Sequence, residues 1–224
     1  MAVEPVVSAA DAEAIERRVA SFEQRTGVEI VAAVERRCDA YPEAPWRAFA
    51  LGASLAALGA LVGSLSRPAW TSAGPLLLQA VAILGIGAAA ALASMLWPRF
   101  GRHFVRAARM RVEVRQRANV VFLEHELFAT PGRDAILVLV SRFERQVVVV
   151  PDTAYRARIL PGDWSAAIDA MTPRLAQDRL AEAFDAGFAA IEHLLAAKGI
   201  AGLSAQASLP DTVLQGTPDG EREA

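Results

Sequence analysis

The chain has 224 residues, is 54% hydrophobic and carries a formal net charge of −2. A balance so close to zero excludes a broadly basic nucleic-acid-binding surface. The one cysteine, Cys38, excludes an intramolecular disulfide and fits a reducing compartment.

The acidic N-terminus predicts no cleavable signal peptide. Ser8 and Asp11 form an S-x-x-D cap ahead of Ile15, Val19 and Phe22, which recur at helical spacing. Thr26-Gly27 then offers a glycine stop. VEIVAAVER, Val28 to Arg36, is short, apolar and β-branched, and predicts a buried strand. The polar stretch Arg37 to Arg47, with Pro42 and Pro45, leads into two long apolar runs.

Those runs are Ala48 to Ser66 and Gly74 to Trp97, split by Arg67 and Pro68. About 20 helical residues cross a hydrocarbon core of roughly 30 Å. Both runs lack the polar stripe of a soluble amphipathic helix, and they predict a transmembrane hairpin. Gly59 and Gly63 form a G-x-x-x-G, continued by Gly85 and Ala89 in the second run. Small faces of this kind pack the two spans together or receive another membrane helix or a second copy. Gln79 is the strongest polar group within the runs, too mild to mark a transport path.

Arg36, Arg37 and Arg47 precede the hairpin, and the stretch from Arg99 to Arg117 is dense in arginine, with Glu113 its one acid. The connecting loop has Arg67 alone. Positive flanks stay inside, so the expected location is the cell inner membrane, with two spans and both termini cytoplasmic. The segment Arg99 to Phe128 predicts a helix continuing from the second span, with Val105, Val112, Val120, Leu123 and Leu127 as its apolar face. Its arginines would lie near anionic headgroups, each contributing on the order of 1 kcal/mol.

ATPGRD predicts a turn, and Ala135 to Ser141 and Gln146 to Asp152 two strands. The short RFER link makes them an antiparallel pair. PGDW, Pro161 to Trp164, predicts a turn and a helix start with Asp163 as cap. Leu180, Phe184, Phe188, Ile191 and Leu195 form the apolar face of a last helix, which Gly199 ends. The tail from residue 201 to 224 is expected to be disordered. No strand buries its apolar face alone. The expected fold is therefore an α/β/α sandwich with a mixed sheet, interrupted by the membrane hairpin. The expected divisions are 1–46 and 99–200 for the α/β domain, 47–98 for the hairpin (spans at about 48–66 and 74–97) and 201–224 for the tail.

Taken in order, these motifs resemble the TPM-domain family. A helix ending in T-G precedes the strand VEIVAAV. Later RANVVFLEHELFATPGRDAILVLVSRFERQVVVVPD matches a helix, a T-x-x-R turn, an I-L-x-x-V-S strand and an E-R-x-V strand ending in Asp. Thr130, Arg133, Ser141, Glu144, Arg145 and Asp152 lie on that pattern, and Trp164 fits the helix that follows. The resemblance covers most of the chain outside the hairpin. It implies a compact α/β/α fold in a protein described, among its members, as a photosystem repair factor, a receptor accessory protein or an acid phosphatase. Two departures argue against direct transfer of the phosphatase activity. Many members place the domain outside the cytoplasm, and simpler relatives have a soluble helix where this chain has the hairpin.

Asp152, at a strand end, is a candidate metal or anion residue. With Glu144, Asp134 or Asp163 it would form an oxygen cluster suited to calcium or magnesium; without a dense D-x-D pattern, a turn carboxylate held by backbone N–H groups is the plainer reading. Arg133 and Arg145 can fork an anion, or Glu144 and Arg145 are exposed hairpin residues. His103, His125 and His193 share no ligand spacing, and HELFA lacks the second histidine of a zinc-protease helix. Cys38 has no histidine nearby and reads as inert. The expected function is that of an accessory or interaction protein of a membrane complex, partnered by the bilayer and by a membrane protein or a second copy. The alternative is a metal-assisted phosphatase.

Overall fold

Helix α1 (Ala9–Thr26) starts where the sequence places its cap: Ser8 Oγ accepts the N–H of Asp11 at 3.1 Å and donates to its carboxylate at 2.7 Å. It ends at Gly27, whose φ of 67° is left-handed and free of cost only for glycine. The computed structural model describes residues 5–65, 73–130, 132–156, 158–200 and 212–216. The chain divides into two compact units, Met1–Cys38 with Arg111–Ala224, and Asp39–Met110.

The first unit is mixed α/β. Strand β1 (Ile30–Glu35) pairs in parallel with β2 (Ile136–Ser141), which pairs antiparallel with β3 (Gln146–Pro151). The chain between β1 and β2 includes α2 (Glu43–Leu65), α3 (Ala73–Leu96), α4 (Pro98–Gly101) and α5 (Ala107–Glu124). After β3 come a short α6 (Thr153–Arg156), then α7 (Ser165–Leu175) and α8 (Leu180–Ala197). A last strand, β4 (Leu214–Gln215), lies parallel to β1 on its free side, giving the order β3-β2-β1-β4. The tail is thus not wholly without regular structure: of the described residues 212–216, Leu214 and Gln215 enter the sheet, and the rest of 201–224 lies outside the described residues. Val213 explains the difference, because it is buried in the main core.

Side-chain alternation sorts the strands onto two faces. Ile30, Ala32, Val34, Ile136, Val138 and Val140 join a core with α1, α7 and α8. There Phe22 and Phe184 flank Phe188 at 5.7 and 5.6 Å, contacts that each contribute about 0.5–1.5 kcal/mol beyond burial. On the other face Val31, Ala33, Leu137 and Leu139 meet Val114, Ala118, Val121 and Phe122 of α5 (Ala107–Glu124). This corrects the expected helix face: Val112, Val120 and Leu123 are exposed, and the helix turns a different stripe inward.

The second unit holds α2 (Glu43–Leu65) and α3 (Ala73–Leu96), each long and apolar enough to cross a membrane. They pack through Gly52, against Ala90, and Gly87, against Phe49 and Ala53. The expected stripe does not make this contact. Among the described residues, a Cβ at Gly59, Gly63 or Gly85 would meet nothing within 4 Å, and Ala89 is exposed. Nor does the second helix run on unbroken: Trp97 precedes proline and takes φ −113° and ψ 98°, outside the helical region. A four-residue α4 (Pro98–Gly101) and a 3-10 turn (Arg102–Phe104) follow before α5. Arg109 forks between Asp39 at 2.8 Å and Glu43 at 2.9 Å, within the same unit.

Candidate functional site

The two ends of β3 carry separate polar clusters. At the end near Pro151, the turn before β2 is built from Thr130, whose carbonyl accepts the Arg133 N–H at 3.0 Å and whose Oγ1 accepts the Asp134 N–H at 3.2 Å. The turn leaves Arg133 at φ 51°. Its guanidinium donates from Nε to Asp152 Oδ2 at 2.9 Å and from Nη2 to Oδ1 at 3.1 Å. Asp152 Oδ1 also accepts the Thr153 N–H at 2.6 Å. Tyr155 donates its hydroxyl to the Asp134 carbonyl at 2.8 Å. Burial, with Asp134 and Asp152 nearby, pushes the Tyr155 phenol up and keeps it protonated.

At the other end, β1 and β2 finish side by side on Glu35 and Ser141, with the turn residue Glu144 beside them. All three side chains are buried. Glu144 accepts from the Ser141 hydroxyl and, through Oε1, from the Cys38 N–H at 3.0 Å. Arg117 of α5 donates from Nε to Glu35 Oε1 at 2.6 Å and from Nη1 to Glu124 at 3.2 Å. Burial raises the Glu35 carboxyl above its ordinary value, opposed by the Arg117 hydrogen bond and charge. The Cys38 thiol is pushed up to about 12, by burial first and then by the Glu144 charge. It is held as a thiol and is no nucleophile at neutral pH.

The four candidate residues therefore separate into two pairs. Arg133 grips Asp152, while Glu144 and the exposed Arg145 sit in the turn at the far end of six-residue β3, about 20 Å away at ~3.3 Å per residue. Asp163 joins neither pair: it meets Lys198 at 2.8 Å and accepts the Leu160 N–H at 3.0 Å, which lowers its carboxyl. Among the described residues no group of three or more His, Cys, Asp or Glu side chains is placed to hold a metal ion. Arg117 enters the sequence reading only as the end of the basic segment expected at headgroups, whereas here it meets Glu35 and Glu124; Glu35 does not enter it. A charged residue closing an otherwise apolar strand, VAAVE, is the signal that marks Glu35; Arg117 has none.

The end where the parallel strands β1 and β2 finish is where ligands meet open α/β sheets. Here it offers two buried carboxylates, a hydroxyl and a guanidinium, a set suited to holding a proton and fixing local backbone rather than to nucleophilic attack.

No protein-family model matches the chain, and no curated protein matches it. Among solved structures, the fold is similar to the NMR structure of the BA42 protein from the psychrophilic bacterium Bizionia argentinensis. The TM-score is 0.55, over 96% of this chain and 98% of that one, at 14% sequence identity.

Proposed function

We propose that the chain is an integral protein of the cell inner membrane. In this reading α2 and α3 form a transmembrane hairpin inserted in a TPM-like α/β/α sandwich that faces the cytoplasm. Its work is that of an accessory or interaction protein of a membrane complex.

The observation that carries this reading is the exposed apolar surface of α2 and α3. Leu55, Leu58, Leu61, Leu77, Leu78 and Val81 are all exposed, Leu78 by 72%. Unpartnered apolar surface of this extent marks a membrane or a protein interface. Trp46 and Trp97, at the start of α2 and the end of α3, are exposed by 74% and 65%, as expected for an interfacial aromatic belt. Arg99, Arg106, Arg111 and Arg115 are exposed, and in this reading they supply charge for anionic headgroups. The outward stripe of Gly59 and Gly63 suits close approach by a partner's helix or a second copy. Asp152, which a phosphatase of the TPM type would use as ligand or nucleophile, has both oxygens engaged by Arg133. That favours the accessory reading over the phosphatase one.

Reporter fusions at each terminus test the orientation: both report from the cytoplasm, and Arg99→Glu with Arg106→Glu and Arg111→Glu inverts or mislocalises the chain. Unchanged topology in that variant overturns the orientation. Crosslinking in intact membranes, followed by purification of the tagged chain, recovers one near-stoichiometric membrane partner. Recovery of this chain alone overturns the accessory reading.

A further inference from the structure

Strand β1 has unequal neighbours. On one side all six residues pair with β2, from Ile30 with Ile136 to Glu35 with Ser141. On the other, among the described residues, only Ala33 and Val34 pair, with Leu214 and Gln215. The start of that edge is closed by a side chain, because the Ile30 N–H donates to Glu23 Oε1 of α1 at 3.0 Å. What remains is a short receptor edge, and the chain's own tail lies in it.

The way the tail sits defines what the edge accepts. Val213 is buried in the core with α1 and α8, and Leu214 packs against the opposite core. Gly216 donates its N–H to the Val34 carbonyl at 3.0 Å. A Cβ on Gly216 would lie 1.5 Å from Glu35 Oε2 and 2.3 Å from its Cδ. Arg117 holds the other oxygen of that carboxylate, so Glu35 cannot turn aside without losing its ion pair. The edge therefore asks for apolar residues at the Val213 and Leu214 positions and for glycine at the Gly216 position.

Among the described residues, the segment's hydrogen bonds are few: besides the two-residue ladder and the Gly216 bond there are two long links, the Val213 N–H to Glu16 Oε1 and the Val7 N–H to Gln215 Oε1, both 3.4 Å. Segments with few hydrogen bonds open at a small fraction of the global free energy. An opened edge is a template for strand addition.

We propose that the Ala33–Glu35 edge of β1 is a binding groove for an extended polypeptide that places a glycine over Glu35. A segment of the membrane partner occupies it in exchange for the chain's own Val213–Gly216. Main-chain bonds to β1 supply affinity, the Val213 and Leu214 positions supply apolar selectivity, and the Glu35–Arg117 pair sets the glycine requirement, with Arg117 as positioning residue. The identity of the occupant rests on the accessory reading above.

The test uses the full chain with Gly216→Val, which cannot seat its own tail, and a fluorescent peptide of sequence DTVLQGTP. The variant binds the peptide about tenfold or more tighter than the unaltered chain does, and a peptide with valine in place of glycine is not bound. Equal peptide binding by a variant of unchanged circular dichroism overturns the groove. Should that variant not fold, hydrogen exchange on the unaltered chain decides. The Gly216 amide exchanges on the order of 100-fold faster than that of Val138 in the β2–β3 ladder, and equal protection overturns the proposal. In membranes of cells carrying the Gly216→Val chain, excess peptide added before the crosslinker prevents capture of the partner. A partner captured equally with and without the peptide overturns the groove and leaves the accessory reading standing. Peptide capture with no partner recovered overturns the accessory reading and the assigned occupant with it.

Discussion

Arg133 holds Asp152 through two parallel hydrogen bonds, at 2.9 and 3.1 Å, across nineteen positions of sequence. The carboxylate is 2% exposed and the guanidinium 50%, so the two partners stand in unlike surroundings. The arginine can hydrate on its own; the aspartate cannot. A bond of this kind ties the turn before β2 to the end of β3 and so closes one end of the sheet.

A double-mutant cycle with Arg133→Ala and Asp152→Ala, read by chemical denaturation, is expected to give a coupling of about 1.5–3 kcal/mol, the range for hydrogen bonds to a charged group. A coupling under about 0.5 kcal/mol would identify the pair as an ordinary surface bridge.

The Cys38 thiol, pushed up to about 12, is almost wholly protonated at pH 8. Its reaction with a disulfide reagent should be slower than that of a free cysteine by on the order of 1,000-fold. Glu144→Gln removes the second cause of that shift and should speed the reaction; a rate that stays unchanged would place the cause in burial alone.

Glu35 titrates above its ordinary value near 4.5 because it is buried. A raised folded-state pKa favours the protonated folded form. Its contribution is fully present below the unfolded pKa and lost as pH rises through the folded one. The melting temperature of the unaltered chain should therefore fall relative to that of Glu35→Gln as pH is raised above about 4.5. A difference that is flat or grows with pH contradicts the assignment.

Gly87→Leu should loosen the α2–α3 pair, since a Cβ there already lies 2.9 Å from the Phe49 ring and 3.2 Å from Ala53. The cost in detergent is expected at roughly 1–3 kcal/mol, as for other overpacked contacts. Gly59→Leu, with open space around it, should leave the melting temperature of the isolated chain unchanged. If Gly59→Leu proves as harmful as Gly87→Leu, the pair packs through a different face.

Much of the fold is legible along the chain because its signals act within a few residues. Ser8 caps α1 through Asp11, three positions on, and Gly27 ends it. β2 and β3 show as β-branched runs joined by a link too short for any but antiparallel pairing. The same local logic, applied to Pro98, accounts for the break after α3 that a purely apolar reading of the following helix passes over. Two helices long and apolar enough to cross a membrane are equally plain from composition.

Other features depend on which surfaces meet. The inward stripe of α5 is Val114, Ala118, Val121 and Phe122 because that side meets β1 and β2, while comparably apolar Val112 and Leu123 stay outside. α2 and α3 use Gly52 and Gly87 although Gly59 and Gly63 have the more familiar spacing. Glu35 and Arg117 become partners 82 positions apart, and residues near the end of the chain reach β1. Hydrophobic period, caps and breakers are properties of neighbouring residues, and the order of amino acids states them directly. Ion pairs across the sheet, the choice among apolar stripes and the seating of the tail arise from desolvation and close packing between distant segments. Only the assembled chain brings those surfaces together.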